Sequence, residues 1–366
     1  MLTWTSAGLA VVWVVMAPPK AEEALAWLQA AESSVAAVQA RVVTVICPGH
    51  EKTVHDESLK AQLARARRDG DRKAEARLEH ALQDAMEELA RETKAGPPVY
   101  FNHISLRVPQ VRWESYGYGP AGGDWNKPLS VAVLRQGSWD TWTLKTGGEQ
   151  HRTLTRLGKP LLTVPPLGAV LGLGLPARAV ADFLGAERGK GLMGHIPWSD
   201  LPQFFDVQGA DLIAEDQFWK LSLPYRVKRP DGTAPLRLNL KFETERRLLV
   251  GAELLLQEEA ASRPIAAMEW SSFRDMEGRW YPTVMHDFIL GFTLAPSPEA
   301  PVASWKRVAY EFSRLEHRLE DIQLNVALPE SSWESLKLQA GDAVVDYIRG
   351  EQYVVGNAGE ILDKQA

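Results

Sequence analysis

The sequence predicts an α+β fold, a long antiparallel meander that receives a few helices, and three observations carry that expectation. From residue 99 onward, short runs of alternating apolar and polar residues are separated by turn signals. In "LRLNLKFETE", Leu236, Leu238, Leu240 and Phe242 alternate with Arg237, Asn239, Lys241 and Glu243. Near the N-terminus, Leu25, Leu28, Val35 and Val38 recur at helical spacing. In between, residues 57–94 are crowded with charge, yet Leu59, Leu63 and Ala66, then Leu78, Leu82, Met86 and Leu89, return every three or four positions. A meander with one greasy face must cover it, by curling or by receiving helices.

Composition agrees with a globular chain. Of 366 residues, 24% are charged and 45% hydrophobic. A net charge of −6 lacks the basic face that phosphate backbones select, so no nucleic-acid partner is expected. Thirteen tryptophans supply large apolar contacts, each with an N–H that needs an acceptor. The single cysteine excludes an internal disulfide framework.

Taken in order, the chain opens with "AGLAVVWVVMA" at residues 7–17, an uncharged run of signal-peptide length that is too short to span a bilayer. Residues 1–21 are therefore expected to be a signal peptide and the protein to be periplasmic or otherwise exported. No later stretch has the length and apolarity of a transmembrane helix. "EEALAWLQAAESSVAAVQA" gives an amphipathic helix and "RVVTVIC" a short strand. The charged insertion at 57–94 is divided or kinked by "RDGD", and Glu87 and Arg91 lie one turn apart in the favourable order. It reads as a solvated face laid on the body, with an arm for an envelope partner as the sharper alternative.

"VYFNHISLRV" then alternates, "LSVAVLRQGSWDTWTL" turns back at Gln136-Gly137, and "EQHRTLTRL" pairs next. "LLTVPPLGAVLGLGLPARAVADFLGAE" interrupts this texture, apolar but punctuated by Pro and Gly. Strand texture resumes with "QFWKLSLPYRVKR" and runs to a final "QYVVG". The organisation expected is one domain over 22–356, followed by a C-terminal tail at 357–366.

Motifs for chemistry fail on context. "CPGHEKTVHD" gathers Cys47, His50, His55 and Asp56, but at no common zinc spacing, so no metal is expected. "GLGLPA" matches a relaxed dinucleotide fingerprint, yet prolines interrupt the strand and helix that fingerprint needs, and no cofactor is expected. "KTG" lacks an accompanying S-x-x-K nucleophile. His286 next to Asp287 is a His–carboxylate pair on a strand, but adjacent strand residues point to opposite faces. The chain is thus expected not to be an enzyme, a hydrolase using His286 being the alternative.

The run "MEGRWYPTVMHDF" at 276–288 turns at Gly278, and its return strand places Trp280, Val284, Phe288 and Phe292 on one face with Pro282 and His286. Together with the preceding "MEWSSFRD", it resembles a hairpin of the lipoprotein-carrier superfamily, which includes the periplasmic outer-membrane lipoprotein-sorting proteins, outer-membrane lipoprotein receptors and sigma-E regulatory sensors. "LPESSWESLKLQAGDAVVDYIRGEQYVVG" is similar to endings in that group. The resemblance covers most of 22–356. It implies a large curved antiparallel sheet, an open half-barrel of about ten strands wrapped over a few helices, with 57–94 as an added charged helical insertion. It also implies an apolar cavity for a lipid or an acylated peptide, such as a lipoprotein. The cavity wall would comprise Leu238, Leu240, Phe242, Trp270, Trp280, His286, Phe288 and Phe292, with His286 a polar group in that wall. A sensor or interaction module on the same fold, without lipid transport, is the alternative.

Overall fold

The computed structural model describes residues 19–48, 51–95, 99–107, 110–118, 128–135, 138–144, 152–158, 167–176, 195–215, 217–227, 235–257, 262–294, 307–357 and 361–365. The expected signal peptide lies almost wholly outside them.

Helix α1 (Ala21–Ser33) starts where the Lys20 backbone N–H donates to the Glu23 carboxylate, and it buries Ala24, Leu25 and Leu28. Strand β1 (Ala37–Pro48) leads into α2 (Glu51–Asp69) and α3 (Arg72–Ala95), an antiparallel helical pair. Gly70, at φ 72, makes the turn between them, and the Asp71 carboxylate accepts the Ala74 N–H to cap α3. The break falls within "RDGD", as the sequence reading expects.

Five strands follow as a meander: β2 (Val99–Arg107), β3 (Gln110–Tyr118), β4 (Ser130–Arg135), β5 (Ser138–Thr143) and β6 (Thr153–Leu157). The interrupting segment contains α4 (Leu167–Val170), β7 (Gly174–Pro176) and β8 (His195–Pro197), then a 3-10 turn at Trp198–Gln203. A second meander comprises β9 (Asp211–Glu215), β10 (Phe218–Pro224), β11 (Leu236–Glu243), β12 (Leu249–Gln257) and β13 (Ser262–Ser271). A small hairpin of β14 (Arg274–Met276) and β15 (Arg279–Tyr281) turns through Glu277 and Gly278, both at positive φ. Last come β16 (Val284–Leu294), β17 (Arg307–Leu324), β18 (Ala343–Asp346), β19 (Glu351–Val355) and β20 (Ile361–Gln365).

One sheet holds sixteen of these strands, in the order β20-β19-β18-β6-β5-β4-β3-β2-β1-β17-β16-β13-β12-β11-β10-β9. It is open, with β9 and β20 as its edges. Two expectations change here. The strand count is sixteen rather than about ten, and the sheet is mixed, because β18 runs parallel to β6. The parallel pair follows from β17. This 18-residue strand returns to the middle of the sheet, between β1 and β16, so the chain after it must cross over the sheet to reach the free edge at β6. A crossover of that kind delivers a parallel strand.

The inner face of the sheet carries α1, α4, β7, β8 and the 3-10 turn, and the main apolar core lies between them. A smaller core on the outer face joins Val131, Val133, Trp142, Leu154, Val344 and Val355 under the crossover segment. Among the described residues, no helix is long and apolar enough to cross a membrane.

Candidate functional site

Period-two alternation sends one side of each strand in the second meander inward. The inner side of β10 contributes Trp219, Leu221 and Leu223; that of β11 contributes Leu236, Leu238, Leu240 and Phe242; that of β12, Ala252 and Leu254; that of β13, Ala266, Met268 and Trp270. All are buried in one cluster. Cross-strand register aligns Leu221, Leu240, Ala252 and Met268 in a single row, with Leu223, Leu238, Leu254 and Ala266 beside it. The result is a continuous apolar floor spanning four strands.

A segment of the chain itself fills the space above that floor. Leu167, Ala169, Val170, Leu171, Leu173 and Leu175, with Ile196, Trp198 and Leu201, are buried against it. This plug has little regular structure, since α4 spans four residues and β7 and β8 three each. Glycine permits its tight folding. A Cβ at Gly174 would collide with the Ile196 carbonyl oxygen, and one at Gly168 with the His195 ring. Indole N–H groups supply direction to an otherwise apolar contact. Trp270 Nε1 donates to the Ala169 carbonyl at 2.6 Å, and Trp198 Nε1 to the Gly172 carbonyl at 2.6 Å.

The residues expected to line a cavity separate into groups. Leu238, Leu240, Phe242 and Trp270 come together on the floor. Trp280 does not join them. It sits on β15, is 44% exposed, and stacks beneath the Arg246 guanidinium at 5.4 Å from the ring centroid. The hairpin that carries it packs at the end of α1, where Arg279 donates to the Ala30 carbonyl and Tyr281 shares a hydrogen bond with Ser34. His286 and Phe288 lie on the outer face, opposite Glu269 and Ala267, so the phase of β16 is the reverse of the sequence reading. The Phe292 side chain lies outside the described residues.

On the outer face His286 Nε2 is 3.2 Å from the Glu316 carboxylate, which Arg318 also engages. Burial alone would raise the Glu316 pKa, but the hydrogen bonds from Arg318 and His286 outweigh it and hold the carboxyl below its ordinary value. A second such group lies on β2 and β3. Glu114 is pushed up by burial, yet hydrogen bonds from His103, Tyr116 and Arg112 bring it down to about 2. His286 also borders an outer groove of about 650 Å³ lined by Phe218, Lys220, Lys241, Glu253 and Glu269.

The sequence reading missed the polar groups that do face inward. In β16 the inward residues are Met285 and Asp287, and Asp287 is buried in the Leu240–Met268 row. His317 pairs across from Met285 and shares a 2.9 Å hydrogen bond with Thr44 Oγ1, both side chains being buried. The usable signal was the phase of Trp270 and Met268, which carries across register to Met285 and Asp287.

No protein-family model and no curated protein matches the chain. Solved structures similar to it include a LolA superfamily protein from Nitrosomonas europaea, 9% identical, with a TM-score of 0.41 over 87% of this chain and 98% of that one. A DUF1329 family protein from Desulfovibrio piger is 11% identical, with a TM-score of 0.33 over 86% of this chain and 95% of that one. A domain assigned as an outer membrane lipoprotein-sorting protein, from Vibrio parahaemolyticus, is 7% identical, with a TM-score of 0.36 over 86% of this chain and 97% of that one.

Proposed function

We propose that this chain is an exported, non-enzymatic binding protein that takes an acyl chain of a lipid or acylated peptide on the inner apolar floor when the plug moves aside. The observation that carries the reading is the floor itself, a four-strand apolar surface that α1 reaches at one side, through Trp27 against Trp219, and that a short, glycine-dependent segment covers elsewhere. Leu238, Leu240, Phe242 and Trp270 are the wall residues in this reading. Trp270 Nε1, which now donates to the Ala169 carbonyl, can donate to an ester or amide carbonyl of the ligand instead.

Energetics make this an exchange. Each methylene buried contributes about 0.8 kcal/mol. The plug already buries its leucines there, so a ligand gains only the difference between its own burial and the plug's. A long acyl chain can win that exchange, whereas a short one cannot.

A second reading has its own observation. The interior is filled by the chain itself, as suits a sensor or interaction module that carries no lipid. Two measurements separate the readings: mass spectrometry of an organic extract of protein purified without detergent, and uptake of a fluorescent long-chain fatty acid by the wild type and by Gly174→Ala. The carrier reading expects bound lipid in the extract, and greater uptake once the methyl group added at position 174 loosens the plug. An empty protein with no uptake by either form overturns it and leaves the interaction module.

A further inference from the structure

We infer that the α2–α3 hairpin is a self-association surface, on which a second copy of this chain docks its own α2–α3 hairpin to form an antiparallel four-helix bundle. This inference is independent of the ligand reading. Helix α2 is in contact with β17, and its Leu59, Leu63 and Ala66 are buried. Along the seam between them, α2 and α3 leave an open groove of about 760 Å³. Its bottom is apolar, formed by Leu63, Ala64, Leu82 and Met86, and Met86 is 60% exposed.

The charges select the occupant. The α2 wall carries Lys60 and Arg67, and the α3 wall carries Glu79 and Glu87. The groove is therefore neutral overall, with its signs segregated by wall. A strongly acidic or basic helix would meet a like-charged wall on one side. A two-fold copy avoids this, because the basic α2 wall of each chain then faces the acidic α3 wall of the other. Arg67 is already engaged by Glu75 at 3.0 Å and Glu79 at 2.6 Å, which fixes the tip of the hairpin. Lys60 and Glu87, toward its base, are the pair that bridges between copies; within its own helix Glu87 accepts only the neutral Gln83 amide, at 3.2 Å, among the described contacts. Helices of 19 and 24 residues are about 28 and 36 Å long, enough for two hairpins to reach the roughly 1,200–2,000 Å² of a stable interface.

The test is sedimentation equilibrium of the full chain without detergent. A dimer is expected. Leu82→Glu should shift it to monomer with an unchanged circular dichroism spectrum, and Met86→Glu, at an exposed position, should do the same if the first variant folds poorly. Lys60→Glu and Glu87→Lys should each weaken the dimer at least tenfold, and the two together should restore it. A wild type that stays monomeric at hundreds of micromolar, or a dimer that survives both Leu82→Glu and Met86→Glu, overturns the inference. Binding of an unrelated amphipathic peptide or of anionic vesicles by a monomeric wild type assigns the groove to another partner, and also overturns it.

Discussion

The two halves of the sheet are held by different physics. On the side of β4–β6 and β18, both faces are sealed: Trp139 packs into the inner core and Trp142 into the outer one. Directed, charge-assisted bonds close that outer seal. Arg152 makes two hydrogen bonds to the buried Asp342, at 2.9 and 2.5 Å, and Arg156 pairs with Asp140 at 2.8 Å. Arg107 stacks on the buried Trp333, and Trp142 Nε1 donates to Ser335 Oγ. On the side of β10–β13 the outer face is open and polar, and the inner face meets residues 167–176 of the plug mainly through apolar contact, with directed backbone bonds gathered where Phe204 and Asp206, after the 3-10 turn, join Arg226 and Pro224. Bonds with a required geometry fix one arrangement. Apolar burial has no direction and accepts another occupant of similar shape.

Breaking the sealed half should produce the largest effect. Asp342→Ala leaves Arg152 without its carboxylate in a part-buried site, with the Lys337 carbonyl as its remaining acceptor, and is expected to cost about 2–3 kcal/mol in urea unfolding. The acid limb comes next. Glu114 has a folded pKa of about 2 against about 4.3 unfolded, so its contribution is present above the unfolded value and is lost as pH falls through the folded one. Unfolding measured from pH 5 down to pH 2 should show about 1–2 kcal/mol of this loss, solvent screening at a partly exposed carboxylate reducing it and the remainder falling below pH 2, and Glu114→Gln should remove it from the slope.

The exchangeable half should respond less in stability and more in binding. Gly174→Ala is expected to cost about 1–3 kcal/mol by overpacking while raising fatty-acid uptake. If stability falls and uptake does not rise, the plug is ordinary core and the contrast between the halves fails. Trp280→Glu should have the smallest effect, within about 0.5 kcal/mol and with uptake unchanged, because that side chain lies off the floor. Loss of uptake in that variant would move the binding surface to the hairpin.

Where each residue's environment is set locally, the sequence was a good guide. The alternation in β11 placed Leu236, Leu238, Leu240 and Phe242 on one buried face, and the break between α2 and α3 fell at "RDGD". Strands β4 and β5 pair antiparallel up to Arg135 and Ser138, while the expected turn at Gln136-Gly137 lies outside the described residues. The phase of β16 was illegible because both of its faces carry large apolar side chains: Val284 and Phe288 on one, Met285 on the other. Only pairing with β13 decides between them. The return of β17 to the centre of the sheet depends on contacts far apart in sequence, which no local period encodes. The plug was equally hidden. "LGAVLGLGLP" has apolar residues but no helical or strand period, so its burial on the floor follows only from the space the strands leave.

Hydrogen exchange with and without a long-chain fatty acid tests the exchange of plug for ligand most directly. The account predicts that ligand raises amide exchange across 167–176 and 195–205, while 153–157 and 343–346 in the sealed half stay protected. Ligand binding that leaves the plug's protection unchanged would contradict it.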